Sequence, residues 1–174
     1  ATPLPKVFST DQAESILLDI NDFPDGWSIK RQGLTVSGTL TEFLTAKKLI
    51  LKIRAHRDDN AAQAAFSDRK TEAKAIIDRR TISGDQLEDV ENTSMFGWMT
   101  SGKPNYQTEK WGVTGIYRNV TFSVFHEGSI GAAKKDFALS IARKQMDRIK
   151  DETPMATIGP ESYGCDTSSL IIYQ

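Results

Sequence analysis

The sequence predicts an α+β fold, an antiparallel sheet of roughly 5 to 7 strands with helices packed on it in the order α-ββ-α-ββ-α-β. Three observations carry this expectation. The stretch from Leu49 to Phe66, LILKIRAHRDDNAAQAAF, reads as an alternating apolar strand, a polar turn and an alanine-rich helix start that ends on a phenylalanine. The same pattern returns from Val120 to Phe137, VTFSVFHEGSIGAAKKDF, with the same spacing from strand start to phenylalanine. Each strand also follows another β-like stretch across turn residues, so each closes a hairpin, and the two units read as a ββα pseudo-repeat. In the first, Leu49, Leu51 and Ile53 share a face opposite Lys52 and Arg54. In the second, Val120, Phe122 and Val124 oppose Thr121 and Ser123.

The elements follow in order. Ala1 to Phe8 is an extended leader, because Pro3 and Pro5 restrict the backbone around them. Ser9 and Gln12 have capping-box spacing, and Ala13, Ile16, Leu17 and Ile20 then fall on one helical stripe, predicting a helix over 11–21. Phe23-Pro24-Asp25-Gly26 is a turn. A short strand at 28–32 and a β-rich stretch at 39–45 lead through a turn at Lys47-Lys48 into the Leu49 strand. A second helix, capped by Asp58 or Asp59, runs to about Arg80 and buries Ala62, Phe66, Ala73, Ile76 and Ile77. Residues 81–106 are long for a loop, and a strand at 94–100 is expected within them. A hairpin pairs 107–117 with 120–127 across Arg118-Asn119, with Asn119 exposed and supplying the positive backbone angle of a two-residue turn. A third helix over 131–151, capped by Ser129, buries Ala133, Phe137, Ala138, Ile141 and Ile149, and Leu139, Ala142 and Met146 widen its stripe. A loop follows, and Leu170 to Tyr173 reads as a final strand.

Composition bounds the function. A chain of 174 residues, 39% hydrophobic and 26% charged, is expected to form a single domain over 1–174, with residues 152–174 as a C-terminal loop and strand. No apolar run approaches the roughly 20 residues of a membrane span. The net charge of −1 supplies no overall field for nucleic acid, and the cluster Arg143, Lys144, Arg148 and Lys150 reads as a solvated helix face. The one cysteine, Cys165, permits neither an intrachain disulfide nor a thiolate metal cluster. Ala1-Thr2-Pro3 reads as a mature export product after signal-peptide removal, and the sequons at Asn92 and Asn119 permit glycosylation outside the cell.

No nucleotide-binding loop, zinc-protease helix or nucleophile-elbow motif is present. His56 and His126 each end an organising strand and would meet if the two units packed side by side, giving an acid/base or metal pair with Asp58, Asp59 or Glu127. The acids Asp58, Asp59, Asp85, Glu88, Asp89 and Glu91 match no calcium-loop spacing. Trp98, Tyr106, Trp111 and Phe96 offer an aromatic ligand-facing groove, the preferred binding surface on sequence grounds. No cofactor and no metal is expected.

The opening helix with Leu17-Leu18, followed by Phe23-Pro24-Asp25-Gly26-Trp27, resembles the start of PsbP/Mog1-like α/β/α sandwiches, the fold of small exported bacterial sensor and lipoprotein domains. The passage from Leu49 to Phe66 and the Val120 strand after Arg118-Asn119 are also similar to that group. The chain departs from those sensor domains in lacking their paired cysteines. The resemblance implies a non-catalytic ligand- or protein-binding module outside the cytoplasm, at the cell surface or beyond it. A second reading is a structural subunit of a surface filament or coat, assembling as a homo-oligomer through Ala1 to Phe8 or Leu170 to Tyr173 added to a neighbour's sheet edge. A third is a small enzyme using His56 and His126.

Overall fold

The computed structural model describes residues 3–42, 45–79, 86–90, 94–101, 108–129, 131 and 133–158. The strands are β1 (Lys6–Val7), β2 (Ser28–Gln32), β3 (Thr35–Glu42), β4 (Thr45–Ala55), β5 (Gln86–Val90), β6 (Met95–Ser101), β7 (Thr108–Tyr117), β8 (Val120–Ser129) and β9 (Ala156–Thr157). The helices are α1 (Thr10–Ser15), α2 (Asp59–Arg79) and α3 (Lys135–Lys150), with a 3-10 turn at Ile20–Asp22. Seven strands form one antiparallel sheet in the order β2-β3-β4-β8-β7-β6-β5, and β1 pairs with β9 in a separate ribbon. The α+β class is as expected, but the order of elements is fuller than the sequence reading. A hairpin, β5-β6, fills part of the supposed long loop, and its second strand includes the one expected at 94–100. The Leu170 to Tyr173 strand and Cys165 lie outside the described residues.

Side-chain alternation decides the two faces of the sheet. Leu49, Leu51 and Ile53 on β4 and Val120, Phe122 and Val124 on β8 are buried together on one face, in register as Leu51 with Val124 and Ile53 with Phe122. Helix α3 covers that face with Ala138, Leu139, Ile141, Ala142, Met146 and Ile149, and Ala13, Ile16, Leu17 and Leu18 from α1 and the turn after it join the same core. Helix α2 lies on the other face, where Phe66 and Ala73 pack on Phe96 and Trp98. The helices that follow the two similar strands therefore sit on opposite sides, with Phe66 in the smaller core and Phe137 against the larger one. A twofold axis normal to the sheet would leave them on one side, so the pseudo-repeat extends only to the strands.

Several local expectations are corrected. The Ser9–Gln12 capping box is present, but α1 ends at Ser15; Leu17 and Leu18 are buried because the chain turns into the core there, held by Gln145. Lys47 and Lys48 lie inside β4, not in a turn. Asp58 caps α2, its Oδ1 accepting from the Ala61 N–H at 2.7 Å, and Ile76 is exposed. Ser129 belongs to β8, and α3 begins only at Lys135 with no side-chain cap. The positive backbone angle of the β7-β8 turn falls on Arg118 (φ 52°), not on Asn119.

Asn119 is instead fully buried. Its Oδ1 accepts from Phe8 N–H at 2.8 Å, and its Nδ2 donates to Phe8 O at 2.8 Å and to His56 O at 2.7 Å. A side chain so enclosed cannot carry a glycan. It clasps the leader to the ends of β4 and β8, and Phe8 itself is 1% exposed. Residues 6–7 pair with Ala156–Thr157 within the chain.

Candidate functional site

The residues expected to form an aromatic groove do not meet as one. Phe96 and Trp98 lie on the α2 face at 0% and 6% exposure, whereas Trp111 belongs to the opposite core, and Tyr106 lies outside the described residues. Phe96 packs edge-on against Phe66 at 5.2 Å and beside Trp98 at 5.5 Å, and Trp98 meets Phe125 at 5.6 Å. These rings are the seat of α2. The Trp98 indole reaches flat across β7 because Gly112, its cross-strand partner, has no side chain; a Cβ there would fall under 3.0 Å from the ring.

The histidines do not meet either. His56 stands just past β4 with its Nε2 2.8 Å from Thr121 Oγ1 on the α2 face, and His126 is five residues further along β8 on the α3 face. The two are roughly 17 Å apart along the strand and on opposite sides of the sheet. Burial, with the Arg54 charge adding to it, lowers the His56 pKa to about 4 against an opposing pull from Asp58, so the ring is neutral at pH 7. Burial likewise lowers the pKa of His126. Its Nδ1 accepts from the Lys134 N–H at 3.1 Å, which assigns the proton to Nε2. That N–H has no hydrogen-bond partner among the described residues and lies among the rings of Trp27 and Phe137.

What the structure does bring together is a groove of about 310 Å³ between α2 and the middle of the sheet. Its floor is polar and laid down by register: Lys52 beside Ser123 beside Thr114 in one row, Arg54 beside Thr121 in the next. Thr114 Oγ1 and Ser123 Oγ are 2.9 Å apart. The α2 wall contributes Ala65 and Phe66 near the floor and Asp68, Arg69 and Glu72 above it, with Arg69 3.2 Å from Glu72 and also over the Phe125 ring at 5.9 Å. Three cations against two carboxylates leave the lining net positive while His56 is neutral. Helix α2 leaves this space because its buried stripe is narrow: Phe66 fills it at one end, and the small Ala62 and Ala65 cannot reach the hydroxyls below.

No family model, curated protein or solved structure matches this chain. The site therefore has to be read from its own chemistry. Among the described residues no group of three or more His, Cys, Asp or Glu could hold a metal ion. Of the carboxylates considered as calcium ligands, Asp58 caps a helix, Asp59 lies 3.9 Å from Arg118 and Asp89 pairs with Lys70, while Asp85, Glu91 and the Glu88 side chain lie outside the described residues. No helix of the described residues is long and apolar enough to cross a membrane. Two members of the basic cluster on α3 are employed within the fold, Arg148 on Asp22 at 2.6 Å and Lys144 on the Asp22 carbonyl at 2.9 Å.

The sequence reading missed the groove because Thr121, Ser123, Lys52 and Arg54 occupy the polar positions of amphipathic strands, which look like an ordinary wet face. The usable signal was the alanine-rich start of α2. A helix that brings Ala62 and Ala65 to a sheet stands close without filling the space beneath it.

Proposed function

We propose that this chain is a non-catalytic binding module that takes a small polar ligand in the groove between α2 and strands β4, β8 and β7. The observation that supports it is a concave site lined by hydrogen-bonding and cationic side chains in which no group is set up to transfer protons or attack. Ligand sites combine enclosure with a few convergent polar groups. Thr114, Ser123 and Thr121 offer hydroxyls, and Lys52, Arg54 and Arg69 offer cations. The one pairing that resembles a base and a nucleophile is His56 with Thr121. An imidazole whose conjugate acid has a pKa of about 4 is a poor acceptor for a hydroxyl proton, since general bases work best near the operating pH. Placement outside the cytoplasm rests on the resemblance to exported sensor domains, as the buried Asn119 lends it no glycan.

A thermal-shift panel of neutral sugars, amino acids, dicarboxylates and inorganic phosphate tests the reading, with Ser123→Leu as the variant that fills the floor. A ligand at a hundredfold excess over its Kd adds about 2.7 kcal/mol, a rise of roughly 5 to 10 °C for a chain of this size. The expected result is such a rise with one class of compound, its loss in Ser123→Leu and its persistence in His56→Gln. A rise that survives Ser123→Leu, or none with any class, refutes the groove as the binding site.

A further inference from the structure

Helix α2 packs on β5 to β8, and among the described residues no helix covers the same face of β2 and β3 beside it. Register places four cations on that open face: Lys30 on β2 and Lys48, Lys52 and Arg54 on β4, the three lysines exposed. Between them stand the small hydroxyls of Ser28, Thr35, Ser37 and Thr39. Glu127 of β8 stands opposite Lys48, and Asp68 and Glu72 of α2 adjoin Lys52 and Arg54, but among the described side chains of β2, β3 and β4 themselves no carboxylate shares the face. Four of the six described lysines and arginines of these strands thus share one face. Six residues separate Lys48 from Arg54, about 20 Å along the strand, and Lys30 lies two strands away, about 10 Å. A strip of those dimensions suits an extended anion better than a compact one.

The shape and chemistry of the strip narrow the partner. Helix α2 rises about 10 Å from the adjoining strands and forms one wall of a step, so a flat bilayer cannot settle on the floor. The apolar residue exposed on it is Ile50, at 37%, too little to seat an apolar helix. No ring among the described side chains of this floor offers the stacking platform on which single-stranded nucleic acid is held. Hydroxyls and lysines together match a chain that carries both hydroxyls and anions. We infer that this open face is a docking site for an acidic polysaccharide, sulfated or uronate-bearing, lying along the step beside α2. The face shares Lys52 and Arg54 with the groove and so extends the binding reading, without needing the groove to be filled.

Fluorescence anisotropy with a labelled heparin oligosaccharide at low salt reads this directly. The expected result is binding whose log affinity falls with log salt, as counterions are released from the polyanion. Lys30→Gln and Lys48→Gln, both outside the groove, should each weaken it by about fivefold and lower the salt slope by about one, while Lys150→Gln on α3 leaves it unchanged. Equal or tighter binding of a single-stranded oligothymidylate with the same lysine dependence overturns the polysaccharide in favour of nucleic acid. Absence of heparin binding at low salt, or binding indifferent to Lys30 and Lys48, overturns the site. Heparin binding that persists in Ser123→Leu, alongside a lost small-ligand response, separates this inference from the groove.

Discussion

Replacing Asn119 with alanine tests the reasoning about the β7-β8 turn more sharply than any other change. The side chain makes three hydrogen bonds, to Phe8 N, Phe8 O and His56 O, at 2.8, 2.8 and 2.7 Å, in a place with no solvent access. Each such bond contributes about 1 kcal/mol net, and the buried backbone groups left behind lose their partner as well. The sum is roughly 3 to 5 kcal/mol. For a chain of this size that corresponds to a fall in Tm of about 6 to 20 °C, and to a lower urea midpoint at unchanged slope. Asn119→Asp separates this account from a turn-propensity account. The carboxylate keeps the acceptor for Phe8 N–H but sets an anionic oxygen against two carbonyls, so it should lose at least as much. If Asn119 mattered only as a turn former, aspartate would be tolerated within about 0.5 kcal/mol. A loss below about 1 kcal/mol for either variant, by urea denaturation followed by circular dichroism, refutes the clasp.

Three further outcomes follow from geometry already described. Gln145 is buried with its Nε2 donating to Ile16 O at 2.9 Å and its Oε1 accepting from Leu18 N–H at 3.1 Å, so Gln145→Ala should cost about 2 to 4 kcal/mol in urea denaturation and expose the turn after α1 to hydrogen exchange. Gly112→Ala drives a methyl into the Trp98 ring and should cost about 1 to 3 kcal/mol, with altered Trp fluorescence. Because the folded pKa of His56 is depressed to about 4, the unfolded chain takes up the proton first, and stability is whole above about pH 6.5 and declines as pH falls toward 4. After allowance for the ring's partial exposure this amounts to roughly 1 to 2 kcal/mol, which His56→Gln should remove from the dependence of Tm on pH.

Where local chemistry alone fixes an element, the sequence was legible. Ser9 and Gln12 are close enough in the chain to cap a helix by themselves, and the strict alternation of β8 can bury only one of its faces. A strand was expected at 94–100 because 81–106 is long for a loop, and β6 at Met95–Ser101 overlaps it. Alternation cannot say which helix will cover a strand or from which side, so α2 and α3 were wrongly set at matching positions. It also cannot distinguish a polar strand face that meets water from one that a helix roofs, and that hid Thr114, Thr121 and Ser123. Phe96, Trp98 and Trp111 look alike in sequence, but the odd-even difference between the strands carrying them sends two rings to one core and the third to the other. Asn119 was placed in the right turn with the wrong role, because its partner Phe8 is distant in sequence.

The placement of α2 binds the two halves of the molecule into a mutual dependency. It is made by the chain that ends β4, yet it roofs strands β5 to β8, which are synthesised after it. Residues up to Arg79 thus hold a helix whose apolar packing partners are missing, and residues from Gln86 onward hold an uncovered aromatic surface of Phe96, Trp98 and Phe125. A backbone cut between them should yield pieces that stay unstructured apart and regain the native circular dichroism only when mixed.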